Sequence, residues 1–166
     1  MFDTQASDYH FSHNPALFYA LFSCSFKNVF PNPQKNEDAS VHIIGVTENT
    51  LKGGADMRAI TIKTNGEYEV TELKNGRKSI EEIIGGGLEG VTYAGHTDFI
   101  MFLNEIGKII GLEINALVSV FALEFAETTP IMYGNAVICG LDEEGASCDL
   151  TDEQVELFTK ILDGID

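Results

Sequence analysis

RAITIKTNGEYEVTEL, residues 58–73, decides the fold class. Apolar and polar residues alternate from Arg58 to Lys63, which puts Ile60 and Ile62 on one face of a strand. Asn65-Gly66 is a strong hairpin signal, and Tyr68, Val70 and Leu73 resume the alternation. The stretch is a β-hairpin. Downstream, Ser79-Ile80-Glu81-Glu82 has the form of a capping box and predicts a short helix, which Gly85-Gly86-Gly87 stops. Leu88 to Tyr93 returns to strand. Asp98 to Asn104 contains Phe99, Ile100, Met101, Phe102 and Leu103 and reads as a strand buried on both faces. Ile114 to Phe125 has near-helical apolar spacing, Ala136 to Cys139 is another short strand, and Thr151-Asp152-Glu153-Gln154 is a second capping box. It opens a last helix with Val155, Phe158, Ile161 and Leu162 inward. The expected class is α+β, with a small, mostly antiparallel sheet and three or four helices.

Upstream of the hairpin the texture changes. Residues 1–54 are rich in Phe and Tyr among polar and turn residues. Asn14-Pro15 resembles a helix cap followed by proline at the first helical position, with Ala16 to Phe26 as the helix and Pro31-Asn32-Pro33 as its stop. Gln34 to Ser40 is a polar connection, Val41 to Val46 is rich in β-branched residues and reads as a strand, and Lys52-Gly53-Gly54 is a flexible joint. The boundary falls there: an aromatic extension, 1–54, packed on or next to an α+β domain, 55–166.

The chain of 166 residues carries 10 basic and 26 acidic side chains, a formal charge of −16. At 44% hydrophobic with 11 Phe it has the means to build a core. The acid excess argues against direct binding to nucleic acid or an anionic membrane, both of which need clustered Lys and Arg. No apolar run reaches the roughly 20 residues of a membrane span, and the first residues lack the basic start of a secretion signal. Three widely spaced cysteines form no disulfide framework. A cytoplasmic protein is expected. Residues 101–166 hold 2 bases against 13 acids. Between Leu141 and Thr159 stand Asp142, Glu143, Glu144, Asp149, Asp152, Glu153 and Glu156 with no base, a local negative field that favours a basic partner.

A few motifs hint at chemistry. Gly85-Gly86-Gly87-Leu88-Glu89-Gly90 suggests a phosphate loop, but such loops follow a strand and open a helix; here the order is reversed, as in a helix C-cap. His10 and His13 with Asp8 nearby could share a metal, yet no further ligands with suitable spacing accompany them. His96, with Asp98 two residues on, could be an oriented general base. Cys24 and Cys139 lie in apolar surroundings, Cys148 among acids that dull a thiol, and the Gly-x-Ser-x-Gly signature is absent. Asp142-Glu143-Glu144-Gly145 departs from a calcium loop, because Ala146 and Ser147 occupy its fifth and sixth positions. No catalytic residue, metal or cofactor is expected.

Five segments carry a family likeness: Gly85-Gly86; Phe102-Leu103-Asn104-Glu105-Ile106-Gly107-Lys108; Gly111-Leu112-Glu113-Ile114-Asn115; Ile131 to Gly140; and Leu150 to Gln154. In this order they resemble the domain-of-unknown-function family numbered 3846, over about Met57 to Leu162. Glu113 stands where the family often has proline, and the aromatic extension is a further departure. Members are typically encoded by bacteriophages and mobile elements, so the resemblance implies a small accessory protein acting inside a bacterium, with no activity or catalytic residue to carry over. The leading expectation is a non-enzymatic binder that docks its acidic C-terminal face on a basic surface of a host protein, in the defence or transcription machinery. A homodimer is compatible with the sequence. The alternative is a pocket for a small molecule or nucleotide, built on Gly85, Gly86, Gly87 and His96.

Overall fold

Alternation and continuous apolar runs together build one antiparallel sheet, buried on both faces at its centre. The computed structural model describes residues 40–51, 56–126 and 129–165. The expected helix at Ala16 to Phe26, its Asn14-Pro15 cap and Pro31-Asn32-Pro33 stop, the joint Lys52-Gly53-Gly54, the His10–His13 pair with Asp8, and Cys24 lie outside the described residues. All described residues belong to the compact unit Gln34–Asp166.

In chain order the elements are β1 (Val41–Gly45), β2 (Met57–Ile62), β3 (Tyr68–Leu73), α1 (Gly76–Ile84), β4 (Leu88–Tyr93), β5 (His96–Asn104), α2 (Ala116–Ala122), β6 (Ala136–Leu141), β7 (Ser147–Cys148) and α3 (Asp152–Asp163). The sheet runs β1-β4-β5-β6-β2-β3, with β7 also paired to β6, and every pairing is antiparallel. The expected α+β class is what the chain adopts. The sheet takes in Val41–Gly45, which lies before Lys52-Gly53-Gly54 in sequence, as the outer strand beside β4.

Period-two geometry sorts the core. Ile60, Ile62, Val91, Tyr93, Phe99, Met101, Leu103 and Ile138 face α2 and α3, where they meet Val118, Phe121, Phe125, Phe158 and Leu162. Ala59, Leu73, Leu88, Ile100, Phe102, Val137 and Cys139 face the other way, onto Ile80 and Ile84 of α1 and onto Leu51. Coverage on both faces explains why β5 and β6 read as continuous apolar runs rather than alternating ones.

The hairpin turn at Asn65-Gly66 is present, with Gly66 N–H donating to Lys63 O at 3.1 Å. The second capping box is also present: Thr151 accepts from Gln154 N–H at 3.1 Å and Gln154 Oε1 accepts from Thr151 N–H at 2.9 Å. The first is not. Helix α1 starts at Gly76, three residues before the expected cap, with Asn75 (φ 54°) preceding it and no side-chain cap. Ser79 is an interior residue whose hydroxyl donates to the Lys74 carbonyl. The connection from β3 is only Lys74-Asn75, so the helix begins as soon as a left-handed turn has reversed the chain. Gly85 does end it, at φ 78° with its N–H on Glu81 O at 2.8 Å, the conformation a C-cap glycine provides. Helix α2 is shorter than its apolar spacing, because after Ala122 the chain continues in successive turns through Ala126.

The two ends of the sheet are built differently. At one end β5 begins, β6 finishes and α3 starts. At the other, β5 finishes, β4 and β6 begin, and two irregular segments, 105–115 and 129–135, cross over. Asn115, fully buried, ties that second end together. Its Nδ2 donates to Gly134 O at 2.9 Å and Ile62 O at 3.3 Å, while its Oδ1 accepts from Val118 N–H at 3.1 Å and caps α2. Ser119 Oγ donates to Asn115 O at 2.8 Å and accepts from Met132 N–H at 3.0 Å. Asn115→Ala strips a cap and leaves two buried carbonyls without that donor, so urea denaturation should show a loss of about 2–4 kcal/mol. Tyr93 gives the opposite case. Its hydroxyl is buried without a hydrogen-bond partner, beside Phe99 and Phe125 at ring distances of 5.6 Å. Tyr93→Phe removes that unsatisfied group and should stabilise by about 1 kcal/mol in the same assay.

Candidate functional site

The seven acids of the C-terminal third do two different jobs. Asp142 shapes the β6–β7 hairpin: its Oδ1 accepts from Ala146 N–H at 2.7 Å and Glu144 N–H at 3.1 Å. Asp149 Oδ1 accepts from Arg58 N–H at 2.7 Å, and Asp152 pairs with the Arg58 guanidinium at 2.7 Å. Arg58 Nε also donates to Leu150 O at 2.8 Å. One arginine at the start of β2 therefore docks the chain between β7 and α3, and these three aspartates are engaged within the fold. Glu143, Glu144, Glu153 and Glu156 are exposed and have no ion-pair partner among the described residues.

The register brings six of the seven to one place. Asp142, Glu143 and Glu144 form the tip after β6, Asp149 and Asp152 lie where β7 hands over to α3, and Glu153 sits in the first turn of that helix. Asp98, at the start of β5, joins them by accepting from Gln154 Nε2 at 3.0 Å. Glu156 lies one helical turn further on, three residues after Glu153. Elsewhere several acids are paired locally: Lys63 pairs with Glu67, Lys74 with Asp56, Arg77 with Glu81 and Lys78 with Glu82, at 3.2, 2.7, 2.8 and 3.8 Å.

The glycines and His96 are not assembled into one site. Gly85, Gly86 and Gly87 lead into the first residue of β4, whereas His96 opposes Tyr93, its last. The six-residue strand between them separates them by about 15–20 Å. Gly86 and Gly87 lie against the side chains of Asn104 and Glu105, where a Cβ would come within 2.7 Å and 2.3 Å of side-chain atoms. His96 packs edge-on to Phe125 at 5.1 Å, and Asp98 is engaged by Gln154 instead of orienting the imidazole. Burial pushes the Cys139 thiol well above its ordinary range, which keeps it protonated and inert. Among the described residues no group of three or more His, Cys, Asp or Glu could hold a metal.

Four of the five motif segments meet at the opposite end of the sheet, while Leu150 to Gln154 lies at the acidic end. Asn104 Oδ1 accepts from Ile106 N–H at 3.0 Å, and Gly107 N–H returns to Asn104 O at 3.1 Å. Gly134 (φ 80°) lies so close to Leu112 that a Cβ there would meet Leu112 Cδ1 at 2.7 Å. Gly134 N–H donates to Glu113 O at 2.8 Å, and Asn115 N–H to Met132 O at 2.9 Å. Glu113 also accepts from the Thr64 hydroxyl at 3.1 Å. These polar groups satisfy backbone and hold the two crossing segments against each other.

Beside this knot lies a cavity of about 140 Å³. Its floor is the sheet face around Ile43, Glu89, Val91 and Leu103; one wall is Asn104, Glu105, Gly107 and Lys108 and the other Pro130 to Tyr133. Sequence reasoning missed it, because its floor comes from strands separated along the chain. A local signal did exist: Ile106, Ile109, Ile110 and Ile114 sit in a glycine-punctuated segment that no strand or regular helix could bury, and all four are exposed, Ile109 by 83%.

Comparison with known proteins covers the motif segments. The family model described as Domain of unknown function (DUF3846) matches residues 57–163. The chain belongs to that family. The match runs from β2 to the last residue of α3, so the DUF3846 region contains both the acidic end and the walls of the cavity, while Ile43 comes from the strand that precedes it. No curated protein and no solved structure matches the chain.

Within the cavity, burial first and the neighbouring Glu105 carboxylate second hold the Glu89 carboxyl above its ordinary value of 4.5. The folded chain therefore keeps a proton that the unfolded chain releases near 4.5. Stability falls as pH rises through the interval from that value to the raised one, and the penalty is fully present above it. Glu89→Gln should raise the melting temperature at neutral pH, with the gain vanishing below the unfolded value. A gain that is the same at every pH would show that charge is not its cause.

Proposed function

We propose that this DUF3846 chain is a non-enzymatic binding protein whose acidic end grips a basic surface of another protein. The observation that carries the reading is the division of labour among the acids. Arg58 and the hairpin backbone engage three aspartates, and the glutamates left over stand around one end of a rigid sheet, with no cation among the described residues paired to them. Carboxylates gathered in this way attract a basic partner over a distance comparable with the Debye length, which raises the encounter rate and makes the complex salt-sensitive. The setting we propose is a bacterial cell, with a host protein of the defence or transcription machinery presenting the basic surface; the resemblance of the motif segments to accessory proteins of mobile elements supports it.

The rival reading, a nucleotide or metabolite pocket, has less support. Its glycines and histidine lie at opposite ends of β4. The cavity near the motifs, at about 140 Å³, is below the roughly 300–1,000 Å³ of pockets that enclose such ligands.

Pull-down from bacterial lysate tests the proposal by comparing the parent chain with Glu143→Gln, Glu144→Gln, Glu153→Gln and Glu156→Gln combined. None of the four side chains is buried, so melting should shift little. A partner is expected on the parent chain, released by rising salt and lost from the variant. Retention that is indifferent to both salt and neutralisation would refute the acidic grip.

A further inference from the structure

From the isoleucine segment and the cavity beside it we infer a second docking surface, at the sheet end opposite the acids, which takes a partner segment carrying one arginine or lysine flanked by apolar side chains. This surface is independent of the acidic end. Four isoleucines within nine residues, Ile106, Ile109, Ile110 and Ile114, are exposed together. Single exposed apolar residues are ordinary on a soluble protein; a group of this size marks a contact surface. They are not floppy decoration. The hydrogen bonds of Asn104, the Leu112 N–H donation to Gly107 O at 2.9 Å and the buried Asn115 hold the segment in place, so little ordering cost remains for a partner to meet.

The cavity sets the chemistry of what enters. About 140 Å³ accommodates one large side chain. The floor contributes Ile43, Val91 and Leu103, which suit the methylene stem of arginine or lysine. The charged groups are Glu89, Glu105 and Lys108, none with an ion-pair partner among the described residues, so the cavity is one positive charge short of neutrality. A guanidinium or ammonium supplies that charge and relieves the repulsion between the two carboxylates. A second copy of this chain is the poorer occupant, because two bodies of −16 repel each other.

Fluorescence anisotropy on the full chain tests the inference with three labelled peptides of equal length: arginine with leucine, arginine with serine, and glutamate with leucine. Only the arginine–leucine peptide should bind. Ile109→Ser with Ile110→Ser should weaken it about tenfold, and Glu105→Gln several-fold. Glu153→Gln with Glu156→Gln, at the far end, should leave it unchanged, which separates this surface from the acidic grip. Both isoleucines are exposed, and an unaltered melting temperature for the serine variant confirms that its fold is intact. Equal binding of the arginine–serine peptide, indifference to the isoleucine changes, or a dimer in sedimentation that the serine variant abolishes would each overturn the inference.

Discussion

The side-chain amide of Asn115 stands where three parts of the chain must agree: the last carbonyl of β2, the turn before β6 and the first turn of α2. The Val118 N–H lies in the first turn of a helix, which offers it no partner of its own, and Ile62, Gly134 and Val118 are all buried. A buried carbonyl or N–H without a partner is costly, so a single residue with two donors and an acceptor holds the geometry of the whole end. Helix α2 is short, and α2 and α3 cover a sheet face rich in phenylalanine. Their position follows from that buried cap together with the packing of Phe121, Phe125 and Phe158.

An antiparallel sheet covered on both faces has only its ends and edges to offer a partner. That constraint explains why both candidate surfaces lie at the ends of the sheet, where connections supply most of their residues. At one end Arg58 engages Asp149 and Asp152, which stay exposed, and the glutamates around them have no ion-pair partner among the described residues. At the other end glycines permit close approach: Gly134 against Leu112, and Gly107 against the Tyr133 carbonyl. Packing of this kind forms the cavity walls and pushes the isoleucines outward. The two ends differ in character, one carboxylate-rich and the other apolar with a small charged mouth, so they suit different parts of a partner or different partners.

Local signals were legible where the chemistry was local. The Asn65-Gly66 turn, the Gly85 stop and the Thr151 capping box each depend on residues within a few positions of one another, and each appears as expected. The double burial of Phe99 to Leu103 was legible too, since an uninterrupted apolar strand has no solvent face to present. Ser79 shows the limit. A serine two residues before one glutamate and three before another resembles a cap, yet the tight turn from β3 starts the helix earlier and places the serine inside it. Local pattern cannot arbitrate between two starts when both are sterically open; the packing of Ile80 and Ile84 on the sheet does.

What the sequence by itself determined was the class of fold, the positions of most elements and the excess of acid in the last third, because periodicity, turn chemistry and charge are properties of neighbouring residues. Which acids are engaged within the fold and which are left without a cation among the described residues was decided only in three dimensions: Asp149 and Asp152 meet Arg58 across 91 and 94 residues. The separation of the glycines from His96, and the union of Ile43 with Leu103 and Tyr133 around one cavity, have the same origin. Strand order and register bring distant residues together or hold near ones apart, and both depend on how the two faces of the sheet share the core.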